Sequence, residues 1–137
     1  MFLMNSIRLC ITGGSGFIGT TAVQWAVENY LNVINFDIQP PKILQHYSYW
    51  RYIDIRKTNE LNTALQVFNP THILNLAATT GMNINDISYF DANINGVQNL
   101  LDATTNLPNL LRIMFTSSLL VCINGHVPKK DTEYCPP

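Results

Sequence analysis

Thr12-Gly13-Gly14-Ser15-Gly16-Phe17-Ile18-Gly19 is a glycine-rich loop standing between an apolar run and a helical stretch. Glycines at positions 13, 16 and 19 suit the cradling of a diphosphate. Gly13 permits a tight turn, Gly16 lets the backbone approach a pyrophosphate, and Gly19 lets the following helix pack on the sheet. The helix N-terminus then turns free N–H groups and a partial positive charge toward the phosphates. A bare three-glycine pattern is weak, and the strand–turn–helix context gives it meaning. Asp37 closes a second apolar run at about the 20-residue distance expected of a ribose ligand. A carboxylate there accepts hydrogen bonds from a ribose 2′-OH and repels a 2′-phosphate, which favours NAD over NADP.

Positioning these groups requires strands and helices in alternation. Residues 7–12 (IRLCIT), 32–37 (NVINFD), 49–55, 71–76 (THILNL) and 111–117 (LRIMFTS) read as strands. Helical spacing of apolar residues runs over 17–28, including Trp25, and again over 89–104, where Phe90, Ile94, Val97, Leu100, Leu101 and Thr104 lie near one face. Trp25 and the Phe90 stripe read as packing residues. A shorter helix over 59–68 has Thr58 as its cap and Pro70 as its stop. The stretch between Asp37 and Tyr49 leaves room only for a loop or one helical turn. Such alternation predicts an α/β fold: a Rossmann-type, doubly wound parallel sheet of strand order 3-2-1-4-5.

Composition narrows the function classes. The 137 residues suffice for one domain, and 47% hydrophobic against 12% charged residues describes a chain built to pack. A formal charge of −1 offers no basic field, so nucleic acid is not an expected partner. No run approaches the ~20 apolar residues of a membrane span, and the N-terminus lacks the charged region and cleavage site of a signal peptide. Cys10, Cys122 and Cys135 form no CxxC pair, so a reducing cytoplasm is expected. His46, His72 and His126 have no ligand spacing with one another or with the cysteines, and no metal site is expected.

Taken together, the motifs resemble the extended short-chain dehydrogenase/reductase family of NAD-dependent nucleotide-sugar epimerases and dehydratases. TGGSGFIG is similar to its TGGxGFIG loop, which implies cofactor contact by Gly13, Gly16, Phe17, Ile18 and Gly19. Asp37 matches its acidic ribose ligand. Asp54-Ile55 resembles the pair that contacts adenine, and Asn75-Leu76-Ala77-Ala78 its H-x-A-A segment, implying cofactor contact by Asp54, Ile55, Leu76, Ala77 and Ala78. Asn93-Ile94-Asn95-Gly96-Val97-Gln98-Asn99-Leu100-Leu101 resembles N-V-x-G-T-x-N-L-L on a long helix, which in the family also forms the homodimer. Asn93 reads as a tie between that helix and the neighbouring strand. Thr116-Ser117-Ser118 resembles the T/S-S-S segment, implying a catalytic role for Ser118 at the sugar hydroxyl. Thr80, at a further cofactor position, stands where many members carry a basic residue, and Leu119-Leu120-Val121-Cys122-Ile123 departs from the usual x-x-V-Y-G continuation.

The family's chemistry also uses a Tyr-x-x-x-Lys pair, in which the Tyr moves the proton of the sugar hydroxyl and the Lys lowers the Tyr pKa. No Tyr in the 137 residues has a Lys four positions later. Glu133-Tyr134-Cys135-Pro136-Pro137 resembles the segment that leads into that helix. The expectation is therefore an incomplete NAD-binding domain over 1–137, truncated before the last strands and inactive alone. Its partner in the intact enzyme would be a nucleotide sugar. The alternatives are a non-catalytic dinucleotide-binding module and a fragment of an NAD(P)-dependent reductase of the same family.

Overall fold

The computed structural model describes residues 7–81 and 85–118. The expectations placed on Leu119-Leu120-Val121-Cys122-Ile123, His126 and Glu133-Tyr134-Cys135-Pro136-Pro137 lie outside the described residues.

β1 (Arg8–Thr12) buries Leu9, Cys10 and Ile11, and a strand buried on both faces belongs at the centre of a parallel sheet. It pairs with β2 (Asn32–Asp37) on one side and with β4 (His72–Asn75) on the other, both parallel. β3 (Trp50–Tyr52) extends the sheet beyond β2, and β5 (Arg112–Phe115) extends it beyond β4. The order is β3-β2-β1-β4-β5, as the sequence predicts. The chain winds outward from β1 to β3, crosses over β1, and continues through β4 to β5. The register sets Thr12 opposite both Phe36 and Asn75, so the loops leaving β1, β2 and β4 emerge side by side. Such a reversal of winding opens a crevice at the carboxyl ends of the strands.

Helices cover both faces. α1 (Phe17–Glu28) turns Gly19, Val23 and Ala26 inward, where Val23 and Ala26 pack with Leu9, Ile11, Leu31 and Val33. Trp25 lies off that stripe and is 54% exposed, so it is not the packing residue its spacing suggests. α2 (Thr58–Phe68) and α3 (Val97–Thr104) close the opposite face, burying Leu61, Leu65, Leu100 and Ala103 against Cys10, Phe36 and Ile73. Fully burying a leucine such as Leu61 or Leu65 stabilises the fold by roughly 1.5–3 kcal/mol.

Three expectations are corrected. Residues 49–55 supply only a three-residue strand, because β3 is an edge with one neighbour and its chain leaves the sheet after Tyr52. Thr58 is the first residue of α2 and not its cap; Lys57 precedes the helix without a side-chain capping bond. Residues 89–104 are not one helix. A 3-10 turn (Ile87–Phe90) leads into a π-helical turn (Ala92–Gly96), and only then does α3 begin. The expected single turn between β2 and β3 is the 3-10 turn Leu44–Ser48. No helix among the described residues is long and apolar enough to cross a membrane.

Candidate functional site

Where β1 ends, Gly13 takes a left-handed φ of 75° and donates its N–H to Phe36 O at 2.8 Å. A Cβ at Gly13 would stand 2.6 Å from Ala77 N, so the turn is pressed against the segment leaving β4. Gly19 has a different reason. A Cβ there would come within 2.2 Å of Gly13 O, so at Gly19 α1 rests on the glycine loop, while Val23 and Ala26 further along pack on the sheet as expected. Gly16 meets only Gly13 O, at 3.2 Å, and otherwise faces open space. Its missing side chain leaves room for something outside the protein to approach the start of α1.

That room is part of a cavity of about 530 Å³ at the carboxyl ends of the strands. Gly13, Ser15 and Gly16 line it from the loop, and Phe36, Asp37, Ile38, Gln39, Pro40 and Lys42 from β2 and beyond. Ile53, Asp54, Ile55 and Arg56 line it after β3, and Leu76, Ala77, Ala78 and Thr79 after β4, with Ala92 from the π turn. The size is that of an ordinary small-molecule site.

Two carboxylates stand in its wall, in unlike environments. Asp37 Oδ2 accepts the Ser15 N–H at 2.9 Å, and Oδ1 accepts the Gln39 N–H at 2.8 Å. The Trp50 indole donates to Asp37 O at 3.0 Å, fixing the backbone as well. Asp54 instead is engaged by Arg56, whose Nη2 lies 2.7 Å from Oδ2 and whose Nε and backbone N–H reach Oδ1 at 2.9 Å. Hydrogen bonding from Arg56 is the main cause holding the Asp54 carboxyl below its ordinary range; burial opposes it. The same pairing raises Arg56. Asp54 thus closes a neutral ion pair, and Ile55 presents an apolar side chain beside it.

Helical residues brace these loops. Asn99 Nδ2 donates to Ile55 O at 3.1 Å, and Gly96 lies where a Cβ would touch Ile55 Cδ1 at 2.7 Å. Asn93 holds the backbone of Thr79 from both sides, so it does tie helix to strand, through the segment that follows β4. Below, Thr12 Oγ1 donates to buried Asn75 Oδ1 at 2.5 Å.

Of the residues singled out from sequence, Gly13, Gly16, Asp37, Asp54, Ile55, Leu76, Ala77 and Ala78 line this one cavity. Gly19 supports it from behind. Phe17 and Ile18 are exposed and are not among the lining residues, and their backbone forms the start of α1. Thr80 is outside the lining, and its neighbour Thr79 is inside. Ser118 is an exposed residue after β5 and is not among the lining residues. Sequence reasoning missed Ser15, Lys42, Arg56 and, beneath the loop, Asn35. The available signal for Asn35 was a polar residue inside an otherwise apolar strand.

Residues 9–137 match the profile of the NAD dependent epimerase/dehydratase family. The chain belongs to that family. Among curated relatives of this family member, the N-acetyl-alpha-D-glucosaminyl-diphospho-ditrans,octacis-undecaprenol 4-epimerase of Escherichia coli O157:H7 is 32% identical, over 97% of this chain and 39% of its own length. A probable dTDP-glucose 4,6-dehydratase of Sinorhizobium fredii is 28% identical, over 73% of this chain and 29% of its own. The chain spans between 29% and 39% of the length of the curated relatives it matches. Among solved structures, the UDP-N-acetylglucosamine 4-epimerase of Bacillus cereus superposes with a TM-score of 0.74 at 26% identity, covering 96% of this chain and 48% of that one. The UDP-glucose 4-epimerase of Brucella ovis, solved in complex with NAD, gives 0.81 at 20% identity over 96% and 42%, a likeness of fold. The family's cofactor is NAD, and the Rossmann-type sheet order is the one this family member shows.

Proposed function

We propose that residues 1–137 form the NAD-binding domain of a nucleotide-sugar epimerase or dehydratase. The observation that carries this reading is the Asp37 carboxylate, held by the Ser15 and Gln39 N–H groups at the rim of the cavity that the glycine loop lines. A carboxylate fixed in this way retains lone pairs for a ribose diol and disfavours a 2′-phosphate. The open space at Gly16 accommodates a diphosphate against the start of α1. Phe17 and Ile18 contribute backbone N–H groups there, and Gly19 keeps the helix seated. Ile55 supplies an apolar surface for adenine, with the Asp54–Arg56 pair beside it, and Leu76, Ala77 and Ala78 continue the wall, with Thr80 just past it.

When bound, NAD supplies a reversible hydride acceptor for a sugar carbon. Ser118, following β5, is assigned to the sugar hydroxyl by its resemblance to the family's catalytic serine. The 137 residues hold no Tyr-x-x-x-Lys pair to move that proton, so this chain by itself binds NAD without turning over a nucleotide sugar. Exposed Ile94 and Leu101 near and on α3 support a homodimer through that helix, and the free, buried Cys10 fits a cytoplasmic setting.

Calorimetric titration of the purified chain with NAD and NADP, followed by a turnover assay on UDP- and dTDP-sugars, tests the proposal. NAD binding preferred over NADP, with no turnover, is expected. Absence of NAD binding at millimolar concentration overturns the reading, and turnover overturns the inactivity of the chain.

A further inference from the structure

We propose that Asn35 is a positioning residue that orients the Ser15 hydroxyl to donate a hydrogen bond to a diphosphate oxygen of the bound dinucleotide. This rests on the cofactor reading above. It assigns two side chains, where the glycine pattern itself involves only backbone.

Asn35 is fully buried in β2, on the face that packs against α1, next to the apolar Val33. An aliphatic side chain would fill such a place at lower cost, because a buried amide loses its water. Asn35 Nδ2 donates to Ser15 Oγ at 3.0 Å, the only side-chain bond Asn35 makes among the described residues. Its Oδ1 is buried without a partner and would lie 2.3 Å from a Cβ at position 14, so only glycine fits above it. The asparagine is therefore imperfectly satisfied by the fold, and its one bond goes to the loop that lines the cavity. Local rules broken in this way concentrate at functional sites.

Ser15 completes the argument. It is 4% exposed and lines the cavity between Gly13 and Gly16. Its N–H is committed to Asp37 Oδ2, so it is not available to phosphate. Its hydroxyl accepts from Asn35 and still has one hydrogen to give. No described residue accepts that hydrogen. The bond from Asn35 occupies one side of the oxygen and polarises the hydroxyl, which strengthens its donation on the other side. A diphosphate oxygen, anionic and without hydrogens, is the acceptor chemistry suited to a group so prepared.

The test titrates the full chain and its Ser15→Ala, Asn35→Val and doubly substituted forms with NAD, with ADP, and with adenosine, which lacks the diphosphate. NMR shifts serve for the weak ligand. Ser15→Ala is expected to weaken NAD and ADP about tenfold, the effect of one hydrogen bond to a charged group, and to leave adenosine unchanged. Asn35→Val is expected to give the same loss, and the double form no further loss. Equal weakening of adenosine, or NAD binding unchanged by Ser15→Ala, overturns the proposal while the cofactor reading stands. Additive losses overturn the role of Asn35. If the native chain binds neither NAD nor ADP, both readings fall together. Should Asn35→Val not fold, Asn35→Ala replaces it in the same comparison, with the same outcomes deciding.

Discussion

The side-chain amide of Asn93 closes a two-bond ring on the backbone of Thr79: the Thr79 N–H donates to Asn93 Oδ1 at 2.7 Å, and Asn93 Nδ2 donates to Thr79 O at 3.0 Å. The π turn that carries Asn93 is thereby fastened to the cavity wall. Asn93→Ala removes both bonds and is expected to cost about 1 kcal/mol of stability. Hydrogen exchange at the Thr79 amide should accelerate and NAD binding should weaken. Asn93→Asp keeps the acceptor and loses the donor, so it should fall between. Unchanged exchange at Thr79 in Asn93→Ala would show that the loop is held by other means.

The Asp37 carboxylate should decide between the two nicotinamide cofactors. Asp37→Asn removes the negative charge and one of the acceptor oxygens at the rim. NAD affinity should fall about tenfold, the effect of a charge-assisted hydrogen bond, and NADP affinity should hold or rise. Parallel titrations of the two cofactors read the ratio directly.

Acid should reveal the Asp54–Arg56 pair. Hydrogen bonding from Arg56 places the Asp54 carboxyl below its ordinary value of 3.8. A carboxylate depressed on folding contributes stability that is full above its unfolded value and is lost as pH falls through its folded one. Arg56→Gln should therefore lower stability by about 1 kcal/mol or less near neutrality, because the arginine is partly exposed. The gap between native and substituted chains should narrow below about pH 4. Thermal unfolding across pH 2.5–7 measures it, and a gap that persists at the acid end would assign the effect to packing.

Much of this arrangement was legible in the sequence, and the misses share a cause. β2 and α1 have the bounds expected: the glycine loop marks where α1 opens, and the apolar run of β2 closes at Asp37. The cavity wall was legible wherever glycine or acid chemistry marked it. Residues 89–104 misled because their apolar residues do not share one buried face: Leu100 is buried, whereas Ile94 and Leu101, expected beside it, are exposed. Within them Asn93 bonds to Thr79, 14 residues away in the chain, a contact that no local period reveals. Aromatic residues at 49–52 suggested a longer strand than an edge with one neighbour sustains. Thr58 looked like a cap by type alone, whereas the chain before α2 is shaped by Asp54, whose carboxylate takes the Arg56 N–H. Ser15 and Asn35 are adjacent only after β1 and β2 pair.

Two glycines should respond differently to the same substitution. At Gly19 an added Cβ would meet the backbone oxygen of Gly13 at 2.2 Å, and backbone yields little. Gly19→Ala is expected to cost about 3 kcal/mol. At Gly96 the obstruction is the Ile55 side chain, Cδ1 at 2.7 Å and Cγ1 at 2.8 Å, and a side chain gives more readily than backbone. Gly96→Ala should remain within about 1 kcal/mol of the native chain, helped by the helix preference of alanine. Urea unfolding of both variants makes the comparison, and equal losses would contradict it.

The crossover between β3 and β4 also sets an order of events during synthesis. β1 finds its first neighbour at residues 32–37 and its second only at residues 72–75, so Leu9 waits for His72 across 63 positions. Between the arrival of Tyr52 and that of His72 a ribosome adds 20 residues, which takes roughly 1–4 s at ordinary elongation rates. Throughout that interval the half-built sheet carries the open flank of its most deeply buried strand. The central strand that later anchors the glycine loop is thus open to mispairing while the chain is still being made.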